Sequence, residues 1–485
     1  MSSSVLEGLK PAGLWKHFGA LSGIPRCSGN ESQAAAYVIE QARSRGLEFV
    51  QDRTGNVVVR VPASPGLESV PPVILQGHLD MVGEKDSSSS HDFGKDPIQL
   101  ARDGEYLVAR GTTLGADNGI GLAAALSMMD EKTTHGALEL LFTVDEERGL
   151  TGAQGLESGF VRGTRMLNLD SEEEGSLYVG CAGGSDTLIT LPLLRKPGKG
   201  EVYLLNVHGL RGGHSGLDIN LGRGNALKIL GWTLDRMRRE MDFGLIDLDG
   251  GDKHNAIPRE ARAKILVAGR KKAEVDRLVQ SMKEELSACY GKTDPGLAID
   301  VLPATAESAP LVKRIRDRFL DLLIALPHGV LAMSQAVDGL VESSTNLAVV
   351  KMEDETAIFH ESSRSSVMPA LTRIQESLFG AARLAGAEPE HKGGYPGWQP
   401  NLDSPLLGSA RTVHERVTGQ TPKVKAIHAG LECGIIGEKW KGMDMLSFGP
   451  QIEWPHSPSE RVKVDSVERF YKYLIELLSH LANNR

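Results

Sequence analysis

Leu138-Glu139-Leu140-Leu141-Phe142-Thr143 runs directly into Val144-Asp145-Glu146-Glu147-Arg148-Gly149. The first half is a short apolar run of strand type, and the second half turns abruptly acidic. A hydrolase that activates water on a metal needs one carboxylate to hold the metal and another to take the water's proton. Neighbouring residues at a strand end can divide those tasks, because their side chains diverge. Adjacent acids alone are common on wetted surfaces, so the weight falls on what else the chain places at strand ends.

Metal-type residues recur there. Pro72-Val73-Ile74-Leu75-Gln76-Gly77 reads as a buried strand ending in His78-Leu79-Asp80. Gly111-Thr112-Thr113-Leu114-Gly115-Ala116 is a loop that delivers Asp117-Asn118-Gly119 to a helix over 120–129. Arg165-Met166-Leu167-Asn168-Leu169 is a further strand, ending at Asp170. Far downstream, Met443-Asp444-Met445-Leu446-Ser447-Phe448-Gly449 precedes Trp454-Pro455-His456-Ser457-Pro458. Sites in open α/β sheets gather outside the carboxyl ends of strands, and His78, Asp117, Glu147, Asp170 and His456 all obey that rule. Each has a plainer reading. A histidine after a strand is often structural, Asp117 suits a helix cap, and Asp170 opens the acidic run Ser171-Glu172-Glu173-Glu174 that a wet loop would also show. Their shared placement favours the chemical reading. Two histidines and three carboxylates are a ligand set for two borderline cations such as zinc, one carboxylate being shared.

Composition narrows the field. With 485 residues, 40% of them hydrophobic, the chain is long enough for two or more domains. A net charge of −9 without a long basic run gives nucleic-acid binding little support. Glycine is abundant at 55 and aromatics are sparse at 5%, which suits a loop-rich α/β enzyme. Met1-Ser2-Ser3-Ser4-Val5-Leu6-Glu7 has neither a basic start nor a long apolar core, so no signal peptide is expected. No stretch approaches the roughly 20 apolar residues that span a bilayer, and no membrane partner is expected. Cys27, Cys181, Cys289 and Cys433 are scattered without zinc-type or disulfide-type spacing. A cytoplasmic setting fits best.

The pattern changes after Asp170. Residues 31–45 read as an amphipathic helix, with short strands at 57–61 and 73–77. Beyond residue 200, strands at 201–207, 263–267, 345–351 and 356–361 alternate with helices at 224–241, 273–288, 311–326 and 369–385. That alternation suggests ferredoxin-type α+β units. The expected division is therefore a catalytic domain over 1–186 and 392–485, interrupted by an inserted lid over 187–391. His456 must return to the first segment to complete a ligand shell, which is a separate reason for the discontinuity.

The wording of these motifs resembles a known family. Gln76-Gly77-His78-Leu79-Asp80-Met81-Val82, Gly115-Ala116-Asp117-Asn118-Gly119, Asp145-Glu146-Glu147, Asn168-Leu169-Asp170-Ser171-Glu172 and Pro455-His456-Ser457-Pro458 look like the motifs of the dinuclear zinc peptidases related to carboxypeptidase G and the carnosinases. The branch of bacterial aminoacyl-histidine dipeptidases, also called cytosol non-specific dipeptidases or peptidase D, is closer still. Its likeness lies in His91-Asp92-Phe93-Gly94, Gly180-Cys181-Ala182-Gly183-Gly184, Asn255-Ala256-Ile257-Pro258, Tyr395-Pro396-Gly397-Trp398 and His428-Ala429-Gly430-Leu431-Glu432. The likeness runs from near residue 10 to near residue 480.

The resemblance implies an α/β fold in which a mixed central β-sheet flanked by helices carries the catalytic centre, plus an enlarged lid of ferredoxin-like units. It implies that His78 and Asp170 hold one metal, Glu147 and His456 the other, that Asp117 bridges both, and that the peptide bond from Asp117 to Asn118 is cis. The metals would be two divalent cations, Zn²⁺ with Co²⁺ or Mn²⁺ as substitutes. Glu146 becomes the general base towards a bridging water, and Asp80 orients His78. In the lid, His214 of Gly212-Gly213-His214-Ser215-Gly216 would stabilise the oxyanion, while Asn255 and Arg364 would bind substrate. Arginine suits a terminal carboxylate because its fork pairs with both oxygens. One departure stands out: Asp145 occupies a place where a small neutral residue such as Thr is expected.

The implied activity is hydrolysis of unblocked dipeptides, including those ending in histidine. An N-acyl-amino-acid deacylase on the same scaffold is the first alternative. A non-catalytic binding protein is the second, and the intact set of ligands and base argues against it. The sequence leaves open whether His214 serves its own chain or a partner in a homodimer.

Overall fold

Leu138–Thr143, Val73–His78, Arg165–Asn168 and Asp444–Ser447 lie parallel and side by side in the computed structural model, at the centre of an eight-stranded sheet. The structure describes residues 3–484, so Met1 and Ser2 of the N-terminal stretch read above lie outside it. The four central strands are apolar and buried almost throughout, as strands covered on both faces must be. Val57–Val61 and Ser176–Cys181 flank them antiparallel, which makes the sheet mixed. Because the central strands are parallel, their carboxyl ends all open on one edge.

The chain segment after Asp444–Ser447 folds back as a hairpin. Ile452–Glu453 pairs with Arg461–Lys463, which pairs in turn with Tyr106–Ala109. His456 sits in the loop of that hairpin. The helix Val464–Asn483 then buries Val467, Phe470, Tyr471, Leu474, Leu477, Leu478 and Leu481, spaced as one face of a helix.

The chain divides into two compact units. The first runs to Gly180 and resumes over Pro400–Ala426 and from Leu431 onward; the second comprises Cys181–Gln399 and Ile427–Gly430. These limits differ from the expected cuts at 186/187 and 391/392. The strand Gly183–Pro192 pairs along its length with Thr356–Ser365, and Glu388–Tyr395 pairs with it on its other edge. A cut through either strand would break a ladder, so both belong wholly to the second unit.

The second unit is built on a nine-stranded sheet whose pairings are all antiparallel. Glu201–His208, helix Ala226–Glu240, Gly244–Gly250, Ala261–Val267, helix Lys272–Tyr290 and Ala298–Ala304 form one βαββαβ unit, with strand order four-one-three-two. Gly183–Pro192, helix Lys313–Ala325, Val341–Met352, Thr356–Ser365, helix Met368–Ala385 and Glu388–Tyr395 form another with the same order. The first is inserted into the second after its first strand. The two sheets join where Asp249 and Gly250 pair with Lys351 and Val350, giving two fused units of ferredoxin type. Among the described residues, no helix is long and apolar enough to cross a membrane.

Candidate metal centre

His78 ends the strand Val73–His78 and its ring is buried. Its Nε2 lies 3.1 Å from Asp117 Oδ1 and 3.3 Å from Asp170 Oδ1. On the other side of Asp117, His456 Nε2 lies 3.1 Å from Asp117 Oδ2 and 3.0 Å from Glu147 Oε2. The structure therefore brings all five residues together in two groups, His78 with Asp170 and His456 with Glu147, each facing a different oxygen of Asp117.

Asp117 is presented by a turn at the start of helix Ala116–Ser127, and its peptide bond to Asn118 is cis. Asn118 Nδ2 donates to the Leu169 carbonyl at 2.7 Å, which ties this turn to the strand leading to Asp170. Gly77 makes the approach feasible, since a Cβ there would stand 2.2 Å from Asn118 Oδ1.

The donor set fits two divalent cations on three counts. Ligand atoms about 2.0–2.1 Å from a shared tetrahedral cation lie about 3.3 Å from one another, close to the separations found here. Buried Glu147 Oε1 has no hydrogen-bond partner, whereas buried acceptors are normally satisfied. Burial, reinforced by the charges of Asp117 and Glu147, pushes the Asp170 carboxyl up to about 7 despite His78. Such a cluster of acids calls for positive charge. His78, Asp117 and Glu147 each offer an atom to one small group. Glu31, Asp80 and Asp145 make a second acidic group, but backbone amides and side-chain donors occupy them. Glu31 accepts from the Gly29 and Asp145 amides, and Asp145 accepts from Arg148 Nε at 2.7 Å and Thr151 Oγ1 at 2.5 Å.

Glu146 and Glu147 begin a short helix just after strand Leu138–Thr143. Asp80 fixes both: its Oδ1 accepts from the Glu146 amide at 3.0 Å and its Oδ2 from the Glu147 amide at 3.2 Å. Asp80 Oδ1 also stands 3.3 Å from His78 Nδ1. One carboxylate thus orients the His78 imidazole and the acidic pair. Burial would raise its pKa, but His78, Ser28 and the Glu146 amide hold it well below the usual carboxylate range. The Glu146 carboxyl is the reverse case. Burial raises it well above its ordinary value, and Asp170, Glu147 and Glu432 add to this against the opposing charge of His78.

Asp145, the unexpected acid, has a left-handed backbone with φ of 52°. A β-branched Thr is strained there, whereas Asp tolerates it. With its oxygens engaged by Arg148 and Thr151, it serves the turn.

Three further residues hold this site: Glu460 and Arg26, which lie outside the motifs, and Glu432, which ends one of them without an implied role. Glu460, 2% exposed, accepts from the amides of Leu114, Gly115, Ala116 and Asp117 at 2.7, 2.9, 2.8 and 3.2 Å. Buried Arg26 donates to the carbonyls of Leu79, Asp80 and Gly115. Buried Glu432 accepts from Gln76 Nε2 and Thr143 Oγ1 at 2.5 and 2.7 Å, bracing two strands just before His78 and the Glu146–Glu147 pair.

His214, Asn255 and Arg364 lie in the second unit. His214 pairs with Ala256 in a two-residue ladder, and the Ser215 amide donates to the Asn255 carbonyl at 2.9 Å, so the first two are neighbours. His214 Nδ1 accepts from the amides of Gly216 and Leu217 at 3.2 and 3.0 Å. That places the ring proton on Nε2, which is then a donor. Burial and the Arg364 charge push His214 down to about 4, keeping the ring neutral.

Comparison with known proteins gives a family and several relatives. The model of Peptidase family M20/M25/M40 matches residues 74–480. The chain is 43% identical over 481 residues to the cytosol non-specific dipeptidase of Escherichia coli, covering 99% of each chain. The crystal structure of the aminoacylhistidine dipeptidase from Vibrio alginolyticus superposes with a TM-score of 0.90 at 40% identity, covering 98% of this chain and 97% of that one. Aminopeptidase PepT from Bacillus cereus, at 16% identity and a TM-score of 0.56, covers 98% of this chain and 100% of its own. That last likeness is one of fold.

Proposed function

Since the chain belongs to peptidase family M20/M25/M40, we propose that it is a metal-dependent dipeptidase that hydrolyses unblocked dipeptides, including those with C-terminal histidine. The observation that carries this reading is the pair of ligand groups about Asp117, His78 with Asp170 and His456 with Glu147. The two dipeptidase relatives support the substrate class, and the cytosolic relative supports a cytoplasmic setting. Zn²⁺ is the proposed metal, with Co²⁺ or Mn²⁺ as substitutes.

Two divalent cations held by these five residues would supply an activated water and polarise the scissile carbonyl. The rest falls to the protein. Glu146 takes the proton of the attacking water and returns it to the leaving amine; a carboxyl whose pKa is raised by burial can hold that proton between the two transfers. Asp80 keeps Glu146 and His78 in place. His214, through its Nε2–H, donates to the oxyanion, a contribution of about 3 kcal/mol for donors of this kind. Asn255 and Arg364 bind the substrate, Arg364 at its terminal carboxylate.

Chelation is expected to abolish dipeptide hydrolysis, and Zn²⁺, Co²⁺ or Mn²⁺ to restore it at differing rates. Full activity in protein shown by elemental analysis to be metal-free would end this reading. A panel of dipeptides and N-acetyl amino acids separates it from a deacylase, which would prefer the blocked substrates. Arg364→Ala is expected to raise KM for dipeptides at least tenfold more than for their C-terminal amides, since loss of a charged hydrogen bond costs about 1.5–3 kcal/mol. Equal losses on acid and amide would assign Arg364 another task.

A further inference from the structure

Arg364 lies in a row that crosses three strands. In register, Arg364 of Thr356–Ser365 stands opposite Gly184 of Gly183–Pro192, and Gly184 stands opposite Tyr395 of Glu388–Tyr395. Adjacent strands are about 4.8 Å apart, so the outer two backbones are separated by roughly 10 Å. Side chains meet over that distance only if the middle position is empty. Gly184 leaves it empty: a Cβ there would stand 2.6 Å from two ring carbons of Tyr395. Gly430 borders the ring as well, with a Cβ position 2.7 Å from it. Across this gap Arg364 Nη1 donates to Tyr395 Oη at 2.6 Å.

The guanidinium that this row holds lacks a counterion. Arg364 is 8% exposed, its Nε has no hydrogen-bond partner, and no carboxylate pairs with it among the described residues. Burial and its charge push both His214 and His428 down. His428 is pushed down to about 3 by burial and by the Arg364 charge, and its Nε2 shares a hydrogen bond of 2.7 Å with Ser344 Oγ. A buried, uncompensated cation is costly unless an anion joins it. A phenol that accepts from Arg364 still has its own O–H to donate.

We propose that Tyr395 is a second recognition residue for the substrate's terminal carboxylate, fixing the plane of Arg364 through its oxygen and donating its own O–H to the same carboxylate. Gly184 is the position that permits the pairing. This inference rests on the reading of Arg364 given above, and the test keeps the two apart.

The test uses the full-length, metal-loaded enzyme and measures kcat and KM for a dipeptide and its C-terminal amide. Tyr395→Phe removes one oxygen and leaves the ring. It is expected to raise KM for the free dipeptide about tenfold, with kcat within about twofold and the amide unaffected. Gly184→Ala, which displaces the ring but keeps the hydroxyl, is expected to show the same selective loss. If both variants lose acid and amide equally, or lose neither, Tyr395 has no part in carboxylate recognition. Arg364→Ala is measured beside them. Selectivity lost in Arg364→Ala alone overturns the role of Tyr395 and leaves that of Arg364 standing; selectivity kept in all three variants overturns both.

Discussion

Glu146→Gln is expected to lower kcat by about 10²–10⁴ while cation content and KM stay near those of the parent enzyme. Glutamine keeps the size of the side chain but cannot accept the water's proton. Glu147→Gln is expected to fail differently. Glu147 Oε2 faces His456 Nε2 at 3.0 Å, and its other oxygen is buried without a partner. Replacing that carboxylate with an amide removes a charged ligand, so the variant should bind fewer than two cations and regain activity only in metal excess. The backbone does not confuse the comparison, because Asp80 receives the amides of both residues and neither substitution touches it. Elemental analysis and kcat on both variants separate chemistry from coordination. A metal-poor Glu146→Gln beside a metal-replete Glu147→Gln would mean that the two roles are exchanged. Full turnover in both would remove the acidic pair from the mechanism.

How far the site can be read from the chain depends on where each residue's partner lies. The residues proposed as ligands follow apolar runs, and apolar runs are legible. Val73–His78, Leu138–Thr143, Arg165–Asn168 and Asp444–Ser447 announce themselves as buried strands, and parallel pairing puts their ends on one edge. The helices of the second unit are equally plain from their spacing. Its strands are less so. Gly244–Gly250, Ala298–Ala304, Gly329–Met333 and Glu388–Tyr395 were not marked by the sequence. Glu388-Pro389-Glu390-His391-Lys392-Gly393-Gly394-Tyr395 carries proline, charges and glycines, and it pairs only with Gly183–Pro192 at the end of the sheet order. Edge strands tolerate such residues because one side of the ladder is open. The expected cut at 391/392 falls inside this unmarked edge strand, which gives no ladder to respect in the sequence. Glu460 and Arg26 were illegible in another way. Their partners are backbone groups, up to 346 positions away, and a backbone amide leaves no trace in the sequence.

Glu460→Gln is therefore the substitution whose effect the sequence would least suggest, and it is expected to be large. The carboxylate accepts four consecutive amides, two on each oxygen. They lead into and begin the helix Ala116–Ser127, whose first donors have no partner within the helix. Gln offers one acceptor oxygen, and its amide group would point N–H at N–H on the other side. Two buried donors lose their partner at about 1–3 kcal/mol each, so a loss of about 2–6 kcal/mol in unfolding free energy is expected. Function should suffer beyond that loss. Asp117 is both the last amide in the series and the residue whose two oxygens face His78 and His456, so loosening the turn displaces the residue proposed to serve both cations. Cation content should fall for both sites together, whereas Glu147→Gln weakens chiefly the site it shares with His456. Denaturant unfolding and metal titration of the two variants distinguish these patterns. If Glu460→Gln unfolds at the parent's midpoint and holds both cations with the parent's affinity, the four amides do not depend on this carboxylate, and the turn presenting Asp117 is held by Arg26 and Asn118 instead.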